Sequence, residues 1–357
     1  MSSASKVLVY EFFAGGGCPA GKLPCGLAAE ALGMLWALLT DFRLWGKART
    51  ITALDPRFEE QIPGLGRANL PADEIVRAFP GRHEEAFLSL LHRCDAALVL
   101  APETNGILSR LTAQVEMAGI PLLGSTASAV DTAGDKASCS RLFGRAQLSA
   151  PRTRICSFAS APQAASEIGW PLVIKPLDGV GSEGVCRVDC LSELPRALTL
   201  LRRITAHERI LLQSFADGVH ASVSVLIAKE HCLPLSLNRQ LIEAGSPFRY
   251  WGSEVPFHHR AAGHALELAR SAVRLIPGLG GYVGVDLVLR DEGAELIEIN
   301  PRLTTSYIAL RQVAQTNLAC ALWDACRNGL LPDRVPLAGR VVVRKNDPRS
   351  WGLDSAC

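Results

Sequence analysis

The chain has 357 residues, 48% of them apolar, and a formal net charge of +2. That is enough for two or three packed domains, and the balanced charge without a long basic run argues against a nucleic-acid partner. No stretch reaches the roughly 18 uncharged apolar residues of a membrane span, Glu11 interrupts the apolar start that a signal peptide needs, and eleven cysteines without a Cys-x-x-Cys pair fit a reducing cytoplasm better than a disulfide framework.

Lys6–Tyr10 reads as a first buried strand, followed by Gly15-Gly16-Gly17 and a helix over Leu27–Leu39. This order suits a doubly wound α/β unit. The glycine run is weak evidence for a phosphate cradle, because a tight turn asks for the same residues. Ile51–Asp55, Ala96–Leu100 and Pro121–Gly124 read as further strands and Asn105–Ala118 as a helix, giving a Rossmann-like first domain over 1–130.

Asp135-Lys136 opens an amphipathic segment running to Phe143. Then PLVIKP, 171–176, is a strand ending in Lys175, and a glycine loop follows at once with Gly179, Gly181, Ser182 and Gly184. A dinucleotide fingerprint needs a helix directly after such a loop, yet 185–188 reads as a strand. A Walker loop needs Gly-Lys-Ser/Thr, which is absent, and a kinase loop needs its lysine downstream. What remains is a strand lysine followed by a glycine hairpin able to close over phosphates, since exposed backbone N–H groups bind anions.

Ser192–Arg203 is expected as a helix, and Ile210–Phe215 and His220–Ala228 as strands. Residues 238–256 are rich in polar, aromatic and glycine residues and read as a loop. Arg239 and Arg249 there are candidates for gripping a substrate carboxylate, against the commoner fate of a solvated arginine. His258-His259 lacks partners at metal-ligand spacing. Helices are expected over 261–275, 305–313 and 318–327, a last strand over 340–344, and a disordered tail over 346–357.

The segment 281–302, GYVGVDLVLRDEGAELIEINPR, reads as a hairpin turning at Asp291-Glu292-Gly293. If Arg290 and Ala294 flank the turn, Asp286 lies opposite Glu298. Asn300 then shares their face, while Val283, Val285, Leu287, Leu289, Ile297 and Ile299 fill the other. Two facing carboxylates repel, and a hard cation relieves that. A solvated polar face is the bland alternative.

In this order, Asp135-Lys136, PLVIKPLDGVGSEG, LLQSFADGVHASVSV, GYVGVDLVL and LIEINPRLT resemble the ATP-grasp superfamily of ligases. The resemblance implies an α/β fold: an N-terminal Rossmann-like pre-ATP-grasp domain, then an ATP-grasp domain of two α+β subdomains over 131–345, with a small lid near 150–215. It implies that Lys136 and Lys175 contact ATP phosphates and that the loop from Gly179 through Gly181 and Ser182 to Gly184 is the lid. Gln213, Ser214 and Phe215 would face adenine, with His220 nearby. Asp286, Glu298 and Asn300 would hold Mg2+ or Mn2+, Arg302 would face the phosphate or acyl phosphate, and Arg302 and Lys175 would be the catalytic residues. The pattern usually has Glu at 213 and an acid at 220, and this chain departs from it at both positions.

Within the superfamily, VYEFFAGGG and LNRQ at 237–240 are similar to ligases joining glutamate to tyramine in methanofuran-type cofactor assembly. The substrates implied are an amino acid and an amine, without nucleic acid or membrane, and a homodimer is compatible. Two other readings compete. One is a nicotinamide oxidoreductase using Gly15–Gly17 and Asp55, which leaves 135–302 unexplained. The other is a non-catalytic ATP-binding scaffold.

Overall fold

The computed structural model describes residues 4–21, 23, 25–61, 70–177, 179, 182–345 and 347. The expected tail over 346–357 lies, Asp347 apart, outside the described residues. Among the described residues no helix is long and apolar enough to cross a membrane.

Among the described residues three sheets organise the chain. The first is parallel, in the order β3-β2-β1-β4, from β1 (Ser5–Glu11), β2 (Ala48–Leu54), β3 (Glu74–Arg77) and β4 (Ala96–Leu100). Val7, Leu8, Val9 and Tyr10 of β1 are fully buried, as a central parallel strand covered on both faces must be. The segment 121–124 differs from its expected strand: Leu122 makes a single parallel bridge to Ala97. Pro121 has no N–H to extend that pairing. Gly15–Gly17 form a packed turn, in which Gly16 sits at φ +94° and a Cβ on Gly15 would lie 2.6 Å from the Tyr10 ring.

The second sheet is antiparallel, in the order β5-β8-β6-β7, from β5 (Thr153–Ser157), β6 (Leu172–Lys175), β7 (Cys186–Val188) and β8 (Arg209–Ser214). Leu172, Ile174, Ile210 and Leu212 pack under the helices 161–168 and 194–202. Alternation therefore turns Val173, Lys175 and Gln213 to the other side, where they line a cavity.

The third sheet is antiparallel, in the order β13-β12-β9-β10-β11-β14. Its strands are β9 (Val219–Ala228), β10 (His231–Glu243), β11 (Arg249–Val255), β12 (Gly281–Leu289), β13 (Ala294–Asn300) and β14 (Val341–Arg344). The expected loop 238–256 is thus the larger part of a hairpin, β10–β11. Its polar residues pair within the sheet. Asn238, fully buried, donates to Ser224 Oγ at 2.9 Å and accepts from Ser236 Oγ at 2.7 Å.

One long helix, α1 (Cys25–Trp45), joins the first sheet to the rest. Leu32, Leu35, Leu38 and Phe42 share a core with Tyr307, Leu310 and Leu322. Asp41, buried in that junction, accepts from Tyr307 Oη at 2.6 Å and from Arg311 Nε at 2.9 Å. A charge in a core persists only when paired and hydrogen-bonded, and here both conditions hold.

Candidate functional site

A cavity of about 590 Å3 opens where the three sheets meet. Its floor is the hairpin β12–β13. The register sets Asp286 opposite Glu298 and Gly284 opposite Asn300. The turn is one residue longer than expected, with Leu289 facing Ala294, and a bulge between Asp286 and Leu287 restores the pairing. The bulge corrects one assignment. Leu296, fully buried, takes the core position, and Ile297 instead lines the cavity.

Glu298 is held by Lys136, whose Nζ lies 3.3 Å from Oε2 and also donates to the Gly179 carbonyl at 2.6 Å. Asp135 places that lysine: its carboxylate caps the helix Lys136–Arg145, accepting from Ala137 and Ser138 N–H groups. Lys175 comes in from β6, 3% exposed. Asp286 accepts from Gln240 Nε2 at 3.0 Å and Asn300 Nδ2 at 3.2 Å. Arg302 donates from Nη2 to Glu103 at 3.0 Å, with its Nε 3.0 Å from the other carboxylate oxygen.

Burial and mutual charge set the ionisation of the three central groups. Burial, reinforced by Glu298, pushes Asp286 up to about 7. Burial also pushes Glu298 up, but Lys136, Lys175 and Arg302 outweigh it and hold the carboxyl below its ordinary range. Burial pushes Lys175 down to about 8, with Lys136 adding to the effect and Glu298 and Asp286 opposing it. Two carboxylates beside an amide suit a hard divalent cation, and relief of the Asp286–Glu298 repulsion is the physical signal that the donor set fits one. Among the described residues no group of three His, Cys, Asp or Glu forms a metal cluster, so an ion here would take its remaining oxygens from ligand or water.

Most of the expected residues converge on this cavity: Lys136, Lys175, Gly179, Ser182, Gln213, Ser214, Phe215, His220, Asp286, Glu298, Asn300 and Arg302 all line it. Gly181 lies outside the described residues. Gly184 is packed against Leu201 and Pro176 rather than lining the cavity. Gln213 donates to Thr153 Oγ1 at 3.0 Å, and His220 stands edge-on to Phe248, with burial lowering its pKa.

Arg239 and Arg249 are placed away from this cavity. Both are exposed, Arg239 with its guanidinium 5.7 Å from the Phe257 ring centre, and neither lines the cavity. On a strand, alternation decides which residues face a site, and there Gln240 and Tyr250 point inward instead. The glycines behind the nicotinamide reading are consumed by packing, since a Cβ on Gly17 would meet the Phe12 ring at 2.5 Å.

Sequence reasoning missed Glu11, Glu103, Gln240 and Tyr250. A signal existed for the first two. Glu11 ends β1 and Glu103 follows β4, and ligands in open parallel sheets bind beyond the carboxyl ends of strands.

Residues 133–306 match the family profile of an ATP-grasp domain, and residues 48–130 that of the pre ATP-grasp 3 domain. Two relatives are tyramine–L-glutamate ligases. That of Methanocaldococcus fervens is 34% identical over 61% of this chain and 62% of its own length. That of Methanocaldococcus jannaschii is 33% identical over 61% and 58%. The chain thus spans about three fifths of the length of these two relatives. A putative ATP-grasp superfamily protein from Archaeoglobus fulgidus superposes with a TM-score of 0.67 at 25% identity, over 95% of this chain and 92% of that one.

Proposed function

The chain belongs to the ATP-grasp superfamily, and on that premise we propose that it is an ATP-dependent carboxylate–amine ligase, with glutamate as the acid and tyramine or tyrosine as the amine. The observation that carries the reading is the convergence of Lys136, Lys175 and Arg302 on the facing carboxylates Asp286 and Glu298 in one cavity. The choice of substrates draws on the tyramine–L-glutamate ligases among the relatives.

In this mechanism a carboxylate oxygen of the acid attacks the γ-phosphorus of ATP, and ADP leaves. The amine nitrogen then attacks the acyl carbon of the acyl phosphate. The C–O bond breaks, phosphate departs with the oxygen that came from the acid, and the nitrogen loses its proton to give the amide. No nucleophilic side chain is needed, because positioning and charge stabilisation supply the acceleration. Lys136 and Lys175 lie where triphosphate charge would gather. Arg302, fixed by Glu103, is set to steady the acyl phosphate. Asp286, Glu298 and Asn300 would hold Mg2+, which when bound neutralises charge between the β- and γ-phosphates. The segment from Gly179 to Gly184 would cover the phosphates and keep water from the acyl phosphate. Its partner below is already in place, since the Gly179 carbonyl accepts from Lys136. The reading places the enzyme in the cytoplasm, with cysteines such as the buried Cys139 and Cys186 reduced.

The test is ADP release with glutamate and a panel of amines beginning with tyramine and tyrosine. Release that depends on both glutamate and one amine is expected. ADP formed at the same rate without any amine, or with no pair at all, would count against the ligase.

A further inference from the structure

The cavity has two ends of different chemistry. One holds the lysines and the β12–β13 carboxylates. The other is walled by the first domain: Phe13 from the turn after β1, and Leu27, Ala31 and Met34 from α1. Two carboxylates that the mechanism leaves unused also line the cavity, Glu30 on α1 and Glu11 at the end of β1, and only Glu30 has a cation beside it. Glu11 is 2% exposed, and its Oε2 accepts the Ala14 N–H at 2.6 Å. Among the described residues it has no ion-pair partner. The cation whose charge it senses, Arg302, is engaged by Glu103, and Lys345, which also lines the cavity, is taken by Glu30 at 2.8 Å. A carboxylate in an apolar enclosure is costly unless a cation meets it.

We propose that this end is the acceptor subsite, that it takes a primary amine carried on an apolar body of aromatic size, and that Glu11 receives the ammonium charge. The proposal rests on the ligase reading for its place in the reaction. The arrangement suits that role. Arg302, Asn300 and Thr304 line the cavity with both ends, so a nitrogen seated at Glu11 has the acyl centre in the same enclosure. Phe13, Leu27, Ala31 and Met34 supply hydrophobic contact, and Glu30 and Lys345 on the same wall are spent on each other, so Glu11 carries the polar recognition of the amine. Discrimination follows: a site whose buried carboxylate needs a cation rejects the neutral analogue of the same shape.

Calorimetric titration of the full-length protein at pH 8 with 2-phenylethylamine and 2-phenylethanol tests this. The wild type should bind the amine more tightly than the alcohol. Glu11→Gln should weaken the amine by about tenfold or more, the scale of a hydrogen bond to a charged group, and leave the alcohol unchanged. Met34→Ala should weaken amine and alcohol by a similar factor, because it removes contact and no charge. A simple loss of structure would weaken both ligands in Glu11→Gln, and a thermal melt of each variant reports it. The proposal is overturned if Glu11→Gln binds the amine like the wild type, if both ligands fall together in that variant, or if the wild type binds neither. The ligase reading fails separately, by absence of ADP release from the wild type with every acid–amine pair.

Discussion

Glu298→Gln should lower amine-dependent ADP release by on the order of 10³-fold, the scale of losing a principal charge-stabilising group in a phosphoryl-transfer site. The side chain answers to several demands at once. It is the partner of Lys136 at 3.3 Å, it faces Asp286 across the ladder, and its charge opposes the burial of Lys175. Glutamine keeps the shape and removes the charge. The Lys136 ammonium then loses its compensation, which costs stability, while Asp286 loses a repulsion, which returns some. Because Lys136 and Glu298 retain 10% and 22% side-chain exposure to the cavity, the net change in folding stability should be about 1–2 kcal/mol, below the loss for a sealed pair. Steady-state ADP release and a thermal melt measured together separate the two effects. Turnover equal to wild type would remove Glu298 from the site.

Lys175→Met should act in opposite directions on stability and on catalysis. Burial holds the ammonium at about 8, against an ordinary value of 10.5. A lysine whose folded value is depressed costs the fold its full penalty below about pH 8, and that penalty fades as pH rises toward 10.5, where the unfolded chain also loses its proton. The penalty is on the order of 3 kcal/mol. Methionine has a similar length and no charge, so the ligand-free variant should melt higher than wild type at pH 7, with the gap closing by about pH 10. The attraction of Glu298 is already contained in the net value of about 8, since it opposes the burial of Lys175. Activity should fall by about 10²- to 10³-fold with a raised KM for ATP, because the phosphates lose a preorganised cation. A variant that melts lower at pH 7 and keeps its KM for ATP would contradict this account of the cavity floor.

How far the sequence speaks is visible in particular residues. The hairpin over 281–302 was legible because its signals are local: β-type runs, a glycine turn and period-two alternation. Even there the bulge that exchanges Ile297 for Leu296 was not, since nothing local distinguishes two adjacent apolar residues on a strand. The β10–β11 hairpin was hidden by composition. Ser236 and Asn238 look like loop residues, but Ser222 and Ser224 lie across from them on β9 and satisfy them in the sheet. With the strand missed, Arg239 drew attention and its inward neighbour Gln240 did not. The pairing of Arg302 with Glu103 spans two domains and 199 positions, a distance at which no spacing rule operates. α1 was read as shorter than it is, because its last turns are held by Asp41 and its distant partners Tyr307 and Arg311 rather than by a local signal.

On the proposed reading the cavity's two ends divide the labour of a ligase: charge for the triphosphate and activated acid at one, an apolar seat for the amine at the other. The most direct check follows an atom. Glutamate labelled with 18O in the carboxylate that is activated, supplied with ATP and the amine that releases ADP, should deliver one labelled oxygen to the inorganic phosphate in each turnover. Phosphate free of the label would contradict activation of the acid by phosphoryl transfer at this site.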